Sequence, residues 1–320
     1  MKRVLVLTHE DDPHANVVCS YLDKSKIIYF RVDTDRFSER YNFSFDSRNL
    51  EFRLSSNDQE IVIDPSWNIW NRRVIDPEIN SDVENENLRQ IIRDETKAMW
   101  MGLLSSHEGL VVNNPYNNLL AGNKINQLIF AEKFGRGICI PETLLTNDAE
   151  EAEEFWKEYD RVCFKLQKGA VVEKENTQFV VFTNIVEEEH MKNRDLIRKH
   201  PHLFQRYQDK TYEVRVVTIG EVSMGTAIYS QKSERSKIDF RRYDFDNVPY
   251  EPIGLPEEVS EFCNAMLNNY GLHFGVFDFV YSEDRGYTFL EINPNGQWLW
   301  LEEYSGYPIA KEVSNYLSNA

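Results

Sequence analysis

Residues 275–297 read GVFDFVYSEDRGYTFLEINPNGQ, and the rest of the chain is best read outward from them. Two apolar strands each present acidic groups toward one place: Asp278 in GVFDFVY, then Glu291 and Asn293 in TFLEINPNG. Glu291 and Asn293 stand two apart, so on a strand they project to the same face. A hairpin turn around Glu283–Gly286 brings Asp278 alongside them. Three oxygen donors without His or Cys suit a hard cation such as Mg2+, which keeps several waters and grips substrate phosphates. The plainer alternative is a single edge strand with a solvated face.

Composition sets bounds on the answer. A chain of 320 residues has room for two or three domains. Hydrophobic residues at 41% and aromatics at 13% describe a globular protein able to bury a core. No apolar run approaches the ~18–20 residues of a membrane span. The N-terminus lacks the charged-then-apolar layout of a signal peptide, since the strand Val4–Leu7 leads at once into THEDDPH. Cys19, Cys139, Cys163 and Cys263 lie far apart with no C-x-x-C pairing. They read as reduced, buried small residues of a cytoplasmic protein rather than a zinc site. A net charge of −17 argues against wrapping a nucleic-acid backbone and against anionic membranes. An anionic ligand must therefore be held by locally clustered cations.

The chain divides into three parts, 1–115, 116–205 and 206–320. The first opens with strand KRVLVLT, a helix over about Asn16–Lys24 and strand Ile27–Arg31, an α/β start. After a strand-rich stretch comes a long helix, about Asp82–Ser106, with Leu88, Ile91, Ile92, Met99, Leu103 and Leu104 on one stripe. That stripe is either internal core or a dimer seam. Trp67, Trp70, Arg72 and Arg73 put two cations at a strand end, to meet substrate or simply as solvated surface. His9 and His14, in the first loop, read as surface or capping residues.

In the second part Lys124 opens a helix, Lys124–Phe134, and Lys165 closes an apolar strand just before a Gly-containing loop. Both are placed to meet phosphate oxygens, against the alternative of snorkelling surface lysines. Residues 171–183 read as a hairpin, followed by an acidic helix, Val186–Lys199. The third part begins with a meander in which Glu213 and Arg215 share one strand face. A basic cluster follows: Lys232, Arg235, Lys237, Arg241 and Arg242, either a solvated loop or an anion site. Helices at 256–270 and about Pro308–Leu317 complete the chain.

In this order the pieces resemble the ATP-grasp superfamily, and more narrowly its peptide-modifying ligases of the microviridin or graspetide type, the omega-ester peptide synthetases. The segments that carry the narrow match are LFQRYQDKTYEVRVVTIG, Asp239-Phe240-Arg241, FGVFDFV and FLEINPNGQWLWLEE, together with W-x-x-W-N-R-R near the start. The resemblance spans nearly the whole chain. It implies an α/β (α+β) ATP-grasp fold: an N-terminal pre-ATP-grasp domain, a central lid domain and a C-terminal antiparallel-sheet catalytic domain.

The resemblance also implies roles. Lys124 and Lys165 would contact ATP phosphates, and the hinge Gln205–Arg206–Tyr207 would give adenine its backbone hydrogen bonds, with Gln205 and Glu213 near the nucleoside. Asp278, Glu291 and Asn293 would hold Mg2+, and Arg215 and Arg241 would stabilise the transferring phosphoryl group or the acyl phosphate. The substrate would be a ribosomally made precursor peptide whose acidic side chains are joined to Thr/Ser hydroxyls or Lys amines. Its leader would dock on residues 171–199, with Glu189 and Asn193 in contact and His190 standing where an acidic neighbour is expected. A homodimer through the N-terminal region is implied as well. Two other readings stay open: an ATP-grasp ligase for a small carboxylate or a protein tail, and a catalytically silent ATP- or leader-binding protein. The hairpin-plus-helix insertion and the W-L-W ending argue against the former, and the intact Lys/Lys/Arg/Asp/Glu/Asn set against the latter.

Overall fold

Strand Arg3–Thr8 carries no polar alternation, and five of its six residues are buried, as expected of a strand covered on both faces. It lies in a parallel four-stranded sheet of order Tyr29–Asp33, Arg3–Thr8, Trp67–Asn71, Val111–Val112. Leu5, Leu7 and Ile69 pack with Trp100, Leu103 and Leu104 of helix Glu86–Ser106. Val4, Val6 and Trp70 face the other way, onto helices Pro13–Lys24 and Ile309–Asn319. A three-stranded antiparallel sheet, Asn42–Asp46, Glu51–Ser55 and Glu60–Ile63, closes the first core. The computed structural model describes residues 2–135, 137–168, 171–174 and 177–319.

The long helix starts at Glu86, four residues later than the periodicity suggests, because the Asn85 side chain caps the amides of Asn87 and Leu88. Only the C-terminal half of its apolar stripe is core. Leu88 and Ile91 are 52% and 55% exposed, so hydrophobic period alone did not reveal what covers them.

A second, antiparallel sheet of order Asn184–Ile185, Val162–Lys165, His202–Arg206, Thr143–Thr146 carries the middle of the chain, with helix Ala149–Glu158 packed on it. Strands Val171–Lys174 and Thr177–Val180 pair as the expected hairpin. Its turn at 175–176, and the Gly169-Ala170 part of the loop after Lys165, lie outside the described residues. The single acidic helix expected over 186–199 is two short ones, Glu188–Lys192 and Arg194–Ile197. Asn193 breaks it with ψ near 53°.

The third sheet is antiparallel, of order Tyr250–Ile253, Val222–Ile228, Tyr212–Ile219, Phe274–Ser282, Gly286–Asn293. Val214, Val216, Phe277, Phe279 and Ile292 bury one face under helices Lys124–Phe134 and Glu257–Tyr270. The opposite face changes character along its length. Val217, Ile219, Phe274 and Val276 pack on the first domain, while Glu213, Asp278 and Glu291 face a cleft beneath the central sheet and Arg215, buried, pairs with Asp278.

Candidate active site

The charged end of that face is set by strand register. Arg215 lies opposite Asp278, and Asp278 lies opposite Glu291 on the next strand. The register shifts between Asp278 and Phe279, so Phe279 pairs with Phe289 and Leu290 is an extra residue. This bulge sends Leu290 and Glu291 together into the cleft while Phe289 and Ile292 both enter the core. Arg215 donates from one guanidinium nitrogen to both oxygens of Asp278, at 2.7 and 2.9 Å, and from another to the Gln297 carbonyl at 3.0 Å. Arg215 and Asp278 are both 7% exposed.

Lys124 opens its helix because the Asn123 side chain caps the Asn126 amide, and its ammonium meets the Glu291 carboxylate. Lys165, across the cleft, donates to Gln205 Oε1 at 2.6 Å, and Gln205 Nε2 donates to Thr143 at 2.9 Å. Arg241 hydrogen-bonds Asp239 at 2.6 and 2.9 Å and stands 3.7 Å from Glu291. Lys210 completes the ring of cations: it pairs with buried Glu213 at 2.9 Å, and Glu213 also accepts from Ser230 at 2.8 Å. Lys124, Lys165, Lys210, Asp239, Arg241 and Glu291 line one cleft, open to solvent on one side.

Burial, with Lys165 and Arg241 nearby, pulls the Lys124 ammonium down to about 7. Burial also lowers Lys165. Burial pushes Asp239 up, but its hydrogen bonds and charge pairing with Arg241 more than offset this and leave it at about 2. The site is therefore rich in positive charge held at a cost, the setting in which a polyanion is bound.

Two of the three expected oxygen donors come together. Asp278 and Glu291 face each other at one level of the strand pair, each already balanced by cations, and they supply only hard oxygen ligands. This donor set fits Mg2+. Asn293 shares their strand face but lies one pleat further on, exposed, its Oδ1 accepting from the Asn295 amide at 3.1 Å.

Gln205, Arg206, Tyr207 and Glu213 all line the cleft. One expectation is corrected: the amides of Arg206 and Tyr207 already donate to Glu142 and Arg161 carbonyls at 2.9 Å, so they are not spare donors for a nucleobase. The basic loop divides between the two alternatives. Lys237 pairs with Glu234, Arg242 donates to Asn184, Lys232 sits over the Tyr229 ring, and of its five cations only Arg241 lines the cleft. Arg72 is no surface cation: it is 2% exposed, beside buried Trp67 and Trp70. His14 is likewise buried, at 5%, and accepts the amides of Trp298 and Leu299. Glu189 and Asn193 lie outside the cleft, exposed, with Asn193 Nδ2 donating to the Glu189 carbonyl at 3.3 Å. His190 closes a capping box with Glu187.

Sequence reasoning gave no role to Lys210 or Thr183. The Thr183 amide donates to Asp239 at 3.0 Å, fastening the central sheet to the loop that carries Arg241. A lone lysine and a lone threonine leave no pattern by which to find them.

The MvdD pre-ATP grasp domain model matches residues 3–119. No curated protein matches the chain. Among solved structures, the Chryseobacterium gregarium RiPP-associated ATP-grasp ligase, in complex with ADP and a leader and core peptide, is similar over 100% of this chain and 96% of its own. Its identity is 25% and its TM-score 0.89. The chain is an ATP-grasp ligase. Macrocyclase MdnC of Microcystis aeruginosa MRC, bound with precursor peptide MdnA, resembles the ligase at 25% identity and TM-score 0.86, over 99% and 100% of the two chains. Macrocyclase MdnB of the same organism does so at 26% and 0.79, over 100% of both. The cleft of the ligase lies between the central and C-terminal sheets, and Arg72 and His14, within the matched 3–119, reach instead the turn that follows strand Gly286–Asn293.

Proposed function

We propose that the ligase uses ATP and Mg2+ to close omega-ester or omega-amide rings in a ribosomally made precursor peptide. The observation that carries this reading is the facing pair Asp278 and Glu291, which line one cleft with Lys124, Lys165, Lys210 and Arg241, while Arg215 is buried against Asp278. Similar ligases have been solved with ADP and with leader, core or precursor peptides.

In this reading Lys124 and Lys165 bind the triphosphate as point charges, and Gln205 keeps Lys165 extended toward it. Asp278 and Glu291, with Asn293 one pleat away, hold Mg2+, which neutralises charge on the phosphoryl oxygens. Gln205, Arg206, Tyr207 and Glu213 surround the nucleoside. An Asp or Glu side chain of the peptide attacks the γ-phosphorus, ADP departs, and an acyl phosphate forms. A Thr or Ser hydroxyl, or a Lys amine, then attacks its carbonyl carbon; phosphate departs and takes up the proton. Arg215 and Arg241 stabilise the negative oxygens of both steps through rigid guanidinium forks. Asp239 keeps Arg241 aimed inward, and Asp278 does the same for Arg215.

The exposed Glu189 and Asn193, on the short helices that follow strand Thr177–Val180 in sequence, support a leader-docking surface there. The exposed Leu88 and Ile91 support a homodimer through the first domain. Four unpaired cysteines support a cytoplasmic setting, and no helix among the described residues is long and apolar enough to cross a membrane.

The test is incubation with ATP, Mg2+ and the peptide encoded by a short reading frame beside the gene, one rich in Thr/Ser and Asp/Glu. Mass spectrometry should record the loss of one water per ring. ATP turnover without any such loss would overturn the reading in favour of a ligase for a small carboxylate or a protein tail.

A further inference from the structure

Arg72 ends strand Trp67–Asn71 in the first domain, far in sequence from the cleft, and it is almost wholly buried. Its guanidinium donates to the Asn295 carbonyl and to Gln297 Oε1, both at 3.2 Å, and lies 3.5 Å from Asp12. Asp12 is itself fixed by Thr8 at 2.7 Å and by the His14 amide at 3.0 Å. His14 Nε2 accepts the amides of Trp298 and Leu299 at 3.2 and 3.1 Å. As an acceptor at Nε2, that ring is neutral, and burial lowers its pKa in the same sense. The first domain thus grips residues 295–299 from both sides, and Gln297 sits in the middle. The carbonyl of Gln297 receives Arg215 at 3.0 Å, and Arg215 in turn holds Asp278.

A buried guanidinium is a costly way to pin a loop, because apolar packing of equal volume does as well or better for stability alone. Two directed donors on one turn supply orientation, which apolar packing lacks. We propose that Arg72, with Asp12 and His14 behind it, is a positioning site: it fixes the Gln297 carbonyl and so aims Arg215 at the reacting phosphoryl and carboxyl oxygens. Arg72 touches neither nucleotide nor peptide in this assignment. The inference rests on the function proposed above, and it gives the first domain a part in the chemistry of the third.

The test compares wild type with Gln297→Ala, Arg72→Lys, Arg72→Met and the double variant Arg72→Met/Gln297→Ala. Gln297→Ala removes one of the two acceptors of Arg72 on this turn, leaving the Asn295 and Gln297 carbonyls in place, so it folds even if Arg72→Met does not. Ring closure of the neighbouring-frame peptide gives kcat and KM, calorimetry gives Mg-ADP affinity, and thermal melts give stability. Gln297→Ala should lower kcat about tenfold and Arg72→Met about 100-fold, with peptide KM and Mg-ADP affinity within about threefold of wild type. Arg72→Lys should recover part of the Arg72→Met loss, and the double variant should lose no more than Arg72→Met, as expected of groups acting through one contact. Wild-type kcat in Gln297→Ala, or a loss confined to melting temperature, overturns the positioning role. No ring closure by the wild type counts instead against the proposed function.

Discussion

Glu291 answers to two cations, Lys124 and Arg241, while facing Asp278 across the strand pair, so one side chain links three elements of the cleft. Neutralising it without changing its shape tests the metal assignment directly. Glu291→Gln should lower ring-closing turnover by at least about 100-fold, with the melting temperature little changed because the residue is partly exposed. Asp278→Asn should lose turnover as fully but also melt earlier, since it leaves buried Arg215 without its counter-charge. Full activity in either variant would remove both residues from the metal site. Asp239 invites a different measurement. Its folded pKa, about 2, lies below the ordinary 3.8, so its contribution to stability is complete above about pH 4 and is lost as pH falls. Urea unfolding should show the stability gap between wild type and Asp239→Asn narrowing by about 1 kcal/mol from pH 5 to pH 3. A constant gap would mean that Arg241 does not hold this carboxylate. The acidic residues were legible in the sequence because a carboxylate on a Val/Phe/Leu/Ile strand needs a reason. Lys210 was not, because its partner Glu213 is recognisable only once Tyr212–Ile219 has been folded against Ser230.

Strand alternation gave the hairpin of Asp278 and Glu291 its place, and the two strands run as expected, Phe274–Ser282 and Gly286–Asn293. The bulge at Leu290 was not legible. One extra residue leaves no mark in composition, and only the partner strand shows that two residues oppose one. Helix Glu86–Ser106 shows the same limit from the other side: its period was readable, but the exposure of Leu88 and Ile91 depends on what lies opposite. The NPNG turn is where element geometry and site meet. A Cβ on Gly296 would lie 2.6 Å from the Cβ of Val276, which is fully buried and branched and so has nowhere to move. Gly296→Ala should cost about 1–3 kcal/mol in denaturant unfolding, as overpacking does. The same shift would displace Asn295 and Gln297 from Arg72 and Arg215, so turnover per folded molecule should fall as well. Wild-type stability in that variant would mean the turn has slack, and the tight coupling between first and third domains would not stand.

At the scale of the molecule, the largest surprise is how the two ends of the chain meet. Helix Ile309–Asn319 packs on Pro13–Lys24 and under the first sheet, so Val18, Leu22, Val313 and Leu317 share one core with Val276 and Trp298. Contacts 223 to 285 residues apart have no local signature, which is why Arg72 read as surface or a substrate contact, and His14 as surface or a cap, until the chain was folded. The cleft inherits its rigidity from that shared core on one side and meets the central sheet through Thr183 and Asp239 on the other. Electrostatics act at this scale too. The whole chain carries −17, yet the cleft gathers Lys124, Lys165, Lys210 and Arg241, with Arg215 buried against its Asp278. An acidic peptide therefore meets repulsion at long range and attraction at short range. At 0.15 M salt the Debye length is about 8 Å, so the distant charge is screened while the partly buried cations are not. At 0.01 M it is about 30 Å, and the net negative field reaches an approaching peptide. The peptide KM should accordingly rise as salt is lowered from 0.15 to 0.01 M at fixed Mg2+ and ATP, with kcat little changed. A surface dominated by the cleft cations would give the opposite slope, a KM that falls steadily as salt is withdrawn. That result would mean the acidic peptide approaches along a positively charged path rather than across the negative surface.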